Sequence, residues 1–259
     1  MMLCSDNFLT SPYLFKQVHK KFKTYGAVYE KHYAYLKEDN SLNRYFSLMG
    51  GNDPVCYFMG KNDRQPWVKE LEIHRGVPSI GDNGCFVARE WFKFADLNHY
   101  YAPDAHIDMQ GNRDIFKYGL VSGIKYHILN QGTVWHRTSD SFWSFMKKRY
   151  KYARDLYCER NDRRWKVIDS KKDYWRLIYF ILASACIIPF FLTSCRGYSK
   201  IRDPAWFWHP VVCLAFLITY GVLACRNLAL SCLRGGVPNL FSTARKVSTI
   251  KPIKILKSS

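Results

Sequence analysis

Residues 226–259 contain seven lysines and arginines and no aspartate or glutamate, so this stretch carries charge of one sign only. The nine cysteines lack any paired metal-ligand spacing, and four of them (Cys186, Cys195, Cys213, Cys225) fall in hydrophobic runs, which excludes a zinc module and a disulfide framework. No internal repeat or low-complexity run is present. No basic segment leads into an apolar stretch near the first residues, so a secretory signal peptide is not expected and targeting falls to the hydrophobic spans.

The charge that is present is unevenly placed. The chain of 259 residues has a formal net charge of +18. Residues 1–146 are nearly balanced, with 17 basic and 15 acidic side chains, whereas residues 147–176 carry 12 basic and 5 acidic ones. The excess therefore flanks two apolar runs instead of forming a patch for nucleic acid, and no nucleic-acid reader motif accompanies it. Basic flanks of that kind set topology and meet anionic lipid. Cys232, in the basic stretch beside the second run, is a candidate for acylation.

The two runs cover residues 177–195, without a charged side chain, and residues 205–225, whose one ionisable side chain apart from thiols and Tyr220 is His209. Each is about long enough to cross a hydrocarbon core. Trp175, Trp206 and Trp208 stand at their edges, and Pro189 inside the first run predicts a kink. The loop 196–204 is short, so the pattern predicts a two-helix transmembrane hairpin. Its basic outer flanks place the preceding domain and the tail in the cytoplasm, making this an integral membrane protein.

With 48% hydrophobic and 17% aromatic residues, the remainder can build a core. After Thr10-Ser11-Pro12, the spacing of Leu14, Val18 and Phe22 predicts an amphipathic helix over 13–25. Alternation over 27–36 points to a strand, and residues 42–49 to a short helix closed by Gly50-Gly51. Residues 52–75 read as a long irregular loop. Strands are expected over 123–129 and 133–135, then a helix over 142–157.

Three constellations carry candidate chemistry. In Ile-Gly-Asp-Asn-Gly-Cys-Phe-Val-Ala-Arg-Glu (80–90), Gly81 and Gly84 flank Asp82-Asn83 in a sharp turn that lets backbone approach a ligand, with Arg89 opening a helix; a plain turn explains the same residues. In Pro-Asp-Ala-His-Ile-Asp (103–108), Asp104 and Asp108 stand where a helix dipole keeps a carboxylate ionised, suited either to a general base or to simple capping. In the 142–157 helix, Lys148-Arg149-Tyr150-Lys151-Tyr152 makes a basic aromatic stripe that also suits a helix lying on a membrane.

In order, these elements resemble the acceptor half of a membrane-anchored family 2 glycosyltransferase. Gly81, Asn83, Gly84, Phe86 and Arg89 are similar to its acceptor-region turn, and Lys148-Arg149-Tyr150-Lys151-Tyr152, with Lys for Gln and Tyr for Trp, resembles its Gln-x-x-Arg-Trp element, which makes Arg149 a candidate substrate-binding residue. The resemblance implies an α/β fold: a partial GT-A (nucleotide-diphospho-sugar transferase) sandwich over 1–165, followed by the membrane hairpin and basic tail over 166–259. By its distance from Gly119, Asp108 takes the place of the family's general base. Ile107 replaces the glutamate expected before it, which leaves Asp104 as the other register. Met2-Leu3-Cys4-Ser5-Asp6-Asn7 resembles the strand end bearing an Asp-x-Asp motif, with Cys4 at the first position. Asp6 and His136 are then the implied ligands of a divalent metal, Mg or Mn, although a histidine after a strand is commonly structural.

The implied partners are a nucleotide sugar and a membrane-proximal acceptor, with anionic lipid at the basic flanks. The strands that would hold the nucleoside are expected from a complementary N-terminal half or a partner transferase. A half sheet of this kind would expose an edge strand unless a partner covers it. The alternative is a non-catalytic relative serving as the membrane-bound partner of an active transferase.

Overall fold

The computed structural model describes residues 7–22, 27–30, 33–51, 53–59, 85–87, 126–129, 134–158, 168 and 170–233. These residues are mostly helical, with two small sheets and one long apolar helix.

Strands β1 (Asn7–Leu9), β2 (Ala27–Glu30), β3 (Cys85–Val87), β4 (Tyr126–Leu129) and β5 (Val134–His136) form the sheets. β1 pairs antiparallel with β5, placing Asn7 opposite His136. β2 is central in a mixed sheet, antiparallel to β3 and parallel to β4, with Val28 opposite Phe86. Helix α1 (Leu14–Phe22) lies over these strands, and Leu14, Val18, Val28, Phe86 and Val134 form one small core. The expected strand over 27–36 stops at Glu30, and Tyr33 makes an isolated bridge to Val134.

A larger core is helical. α2 (Ser41–Met49) begins where the Asn40 side chain accepts from the Asn43 N–H at 2.9 Å. It ends at Gly50 with φ 77°, a left-handed cap that glycine enters without steric cost. α3 (Pro54–Phe58) corrects the irregular loop expected from residue 52 onward. The Asn-Asp-Pro signal there is a helix start: the Asp53 carboxylate accepts from the Val55 N–H at 2.9 Å, and Pro54 opens the first turn, where a missing N–H is no loss. α4 (Phe142–Cys158) follows the second sheet.

The run 177–195 is not one helix, contrary to expectation. α5 (Lys171–Cys186) and α6 (Ile188–Lys200) meet at Ile187 with a bend of 85°. Pro189 causes it: it has no N–H, and its ring would collide with the Ala185 carbonyl one turn back, so α5 cannot continue. Ile187 absorbs the turn at φ 64°, the only non-glycine with positive φ among the described residues. Its N–H still closes α5 on the Ala183 carbonyl, while its own carbonyl accepts from Phe190 and Phe191 to open α6. α5 starts with a reciprocal capping box between Ser170 and Asp173.

After a 3-10 turn (Pro204–Phe207) comes α7 (Trp208–Leu233). The stretch Pro204–Leu230 is long and apolar enough to cross a membrane, and 22% of its most apolar window is buried. Its buried face joins Val212, Cys213 and Phe216 to Phe46, Phe145, Phe180 and Phe190 in the helical core. The helices before residue 165 and those after it thus share one apolar interior.

Gly197 on α6 is where the 3-10 turn packs most closely, because a Cβ there would overlap the Trp206 ring. Gly197→Ala is expected to destabilise the fold by about 1–3 kcal/mol despite alanine's better helix propensity. Thermal unfolding of the variant in mild detergent checks this.

Candidate functional site

Several described polar residues pair across the seam between the module before residue 165 and the stretch from Asp203 into α7. At the start of that seam, Asp203 is buried at the end of the loop before the 3-10 turn. Its Oδ2 accepts from Tyr35 Oη at 2.6 Å and Arg44 Nε at 2.8 Å, and its Oδ1 from Arg44 Nη2 at 3.2 Å and the Ala205 N–H at 2.8 Å. Burial pushes this carboxyl upward. The hydrogen bonds from Arg44, Tyr35 and Ala205 outweigh burial and hold it at about 2. Arg44 Nη1 also donates to the Asp39 carbonyl at 2.7 Å, and the Asp39 carboxylate accepts from Trp135 Nε1 at 2.8 Å. One arginine therefore ties α2, β5 and the apolar helices together.

Further along, Trp208 Nε1 donates to Ser41 Oγ at 2.9 Å, and Tyr45 Oη and His209 Nδ1 share a hydrogen bond of 2.8 Å. Tyr45 is fully buried, and burial raises its hydroxyl well above the ordinary value. Beyond it, Tyr220 Oη donates to Asp53 Oδ2 at 3.0 Å, and Arg149 Nη1 approaches the same oxygen at 4.0 Å. The Arg149 guanidinium lies over the Phe145 and Tyr152 rings, 5.2 and 5.4 Å from their centroids. Its Nε is buried and has no hydrogen bond among the described residues.

His136, the implied metal ligand, is buried on β5. Its Nδ1 lies 3.3 Å from Thr138 Oγ1, and its ring packs on Tyr33 at 4.9 Å between centroids. The register of β1 and β5 sets it opposite Asn7, the residue after Asp6. Among the described residues no group of three or more His, Cys, Asp or Glu could hold a metal. Asp6, Gly81, Asn83, Gly84, Arg89, Asp104 and Asp108 lie outside the described residues. Of the acceptor-turn segment, Phe86 is described, buried beside Leu14, Val18 and Val28. His136 and Arg149 stand on different elements, β5 and α4, linked by Lys148, whose Nζ donates to the Thr138 carbonyl at 3.4 Å.

Sequence reasoning missed Asp203, Arg44 and Asp53. A signal existed for both acids: Asp-Pro before an apolar run is an N-cap followed by proline at the first helical position. Nothing local marked Arg44, whose partner lies 159 residues away.

No protein-family model matches this sequence, and no curated protein matches it.

Proposed function

We propose that the chain is the acceptor-side part of a GT-A type, family 2 glycosyltransferase that works at a membrane face, its basic flanks and soluble module on the cytoplasmic side. It would move a sugar from a nucleotide-sugar donor to a membrane-proximal acceptor by in-line, inverting displacement. The observation that carries this reading is the β1–β5 register, which sets His136 opposite the residue following Asp6. His136 thus lies on the strand paired with β1, whose first residue follows Asp6 in sequence. The approach of Arg149 to Asp53, which also accepts from Tyr220 of α7, fits the same reading.

His136 and Asp6 would hold a Mg or Mn ion, which would neutralise charge on the donor diphosphate. Asp108, or Asp104 in the shifted register, would take the proton of the acceptor hydroxyl. The nucleoside would be held by a complementary N-terminal half or a partner transferase. Cys4 at the first position of the metal motif favours the second reading, a non-catalytic relative that anchors an active transferase to the membrane.

Equilibrium binding of nucleoside-diphosphate sugars in the presence of Mn, with the full chain in detergent, tests the proposal. Binding is expected to fall at least tenfold in His136→Ala, and Asp108→Asn is expected to abolish transfer while leaving donor binding intact. Absence of binding to every nucleoside diphosphate, with co-purification of a larger transferase, would select the second reading.

A further inference from the structure

Helix α7 has two unlike sides. One carries the module along nearly its whole length, through Trp208 on Ser41, His209 on Tyr45, Phe216 on Phe145, Tyr220 on Asp53 and Arg226 Nη1 on Tyr150 Oη at 3.2 Å. From Trp208 to Arg226 this is roughly 27 Å at 1.5 Å per residue, close to the thickness of a hydrocarbon core of about 30 Å. The other side exposes Val211, Ile218 and Val222.

An upright α7 would therefore draw the module into the bilayer with it. Asp53 and Arg149 would sit near mid-depth beside Tyr220, and Lys147, Lys148, Lys151 and Arg154, all exposed on α4, would face lipid. Charges at that depth are costly. α5 has 16 residues and α6 has 13, each too short to cross alone.

We infer that α5, α6 and α7 do not cross the bilayer but lie along one leaflet, as an apolar platform that docks the module on an anionic lipid surface. The exposed apolar side chains fit: Leu182 on α5, Ile188, Phe191 and Leu192 on α6, and Ile218 on α7 all face away from the shared core. Trp175 is 70% exposed at the start of the platform, an aromatic suited to the headgroup level. The charges choose the lipid. Within the described residues 170–233 every exposed charged side chain is basic, from Lys171 and Lys172 through Arg196, Lys200 and Arg202 to Arg226, while the two acids Asp173 and Asp203 are buried. A platform with apolar faces and solely basic exposed charges complements phosphatidylserine or phosphatidylinositol headgroups. This inference stands apart from the transferase reading, since it uses neither a donor nor a metal.

Spin labels on Val211→Cys, Ile218→Cys and Val222→Cys, in the full chain with its exposed native cysteines changed to serine, test it. Their depths are read by power-saturation EPR on phosphatidylcholine vesicles containing phosphatidylserine. Labels at one common depth, about 5–10 Å below the headgroups, are expected. Removing phosphatidylserine should weaken vesicle binding at least tenfold. A depth difference of roughly 16 Å between Val211 and Val222, the rise of an upright helix, would overturn the inference. So would protein that stays off the vesicles as a dimer, which would give the apolar face to a second copy.

Discussion

Phe145→Ala is expected to lower the stability of the fold by about 3–5 kcal/mol, the range for removing a buried phenyl ring whose cavity cannot collapse. The ring is 1% exposed and sits between Phe46 of α2, at 4.6 Å between centroids, and Phe216 of α7, at 5.9 Å. It also carries the Arg149 guanidinium on its face. Two helices and one cation lose a common neighbour. Denaturant unfolding in mild detergent measures the loss. Trp143→Ala, two positions away at a side chain 74% exposed, should change stability by less than about 0.5 kcal/mol. Equal effects at the two positions would mean that α4 does not pack on α7.

Asp203→Ala is expected to cost about 3 kcal/mol. The carboxylate is 5% exposed and its Arg44 partner 20%, so the variant leaves a largely buried guanidinium without its main acceptor and removes the cap on the Ala205 N–H. The sign of the pH effect follows from the lowered carboxyl. Its folded value of about 2 lies below the ordinary 3.8, so its stabilisation is fully present above pH 4 and is lost as pH falls toward 2. The shift corresponds to about 2 kcal/mol across that window. Acid titration of unfolding should show this limb in the native chain and a flatter one in Asp203→Asn. An unchanged limb would place the acid sensitivity elsewhere.

Much of the local structure was legible because its causes are local. α2 lies between a polar cap at Asn40 and a glycine at position 50, and α4 has the periodic bulky positions that predict it. β4 and β5 fall within a few residues of the alternation that marks them. The failures have local causes too. Asn52-Asp53-Pro54 carries turn residues that equally start a helix, and only the apolar Val55 and Met59 that follow, buried in the core, separate the two cases. Pro189 marked a kink in the run 177–195, but the uniformly apolar composition around it could not show that the chain turns there by 85° into two helices. The site was harder. Arg149 and His136 stood out as residue types, but Asp53 and Tyr220, which define the surroundings of Arg149, lie 96 and 71 positions from it in sequence, and the Asp-Pro signal at Asp53 marks a helix start without pointing to Arg149. That α7 would share its core with α2 is a tertiary fact that periodicity on either helix leaves open.

The hydrogen bond between Tyr45 and His209 joins residues 164 positions apart, and this separation bears on how the protein is made. At about 5–20 residues per second, a ribosome needs roughly 8–30 s to pass from the first partner to the second. Through that interval Phe46 and then Phe145 are already synthesised while the helix that covers them is not. Because the late partner is also the most apolar stretch of the described chain, the same surface must either be shielded by a chaperone or kept close to lipid until α7 arrives. Maturation of this protein therefore waits on α7, and a nascent chain stalled before it would present an aromatic face that nothing else among the described residues closes.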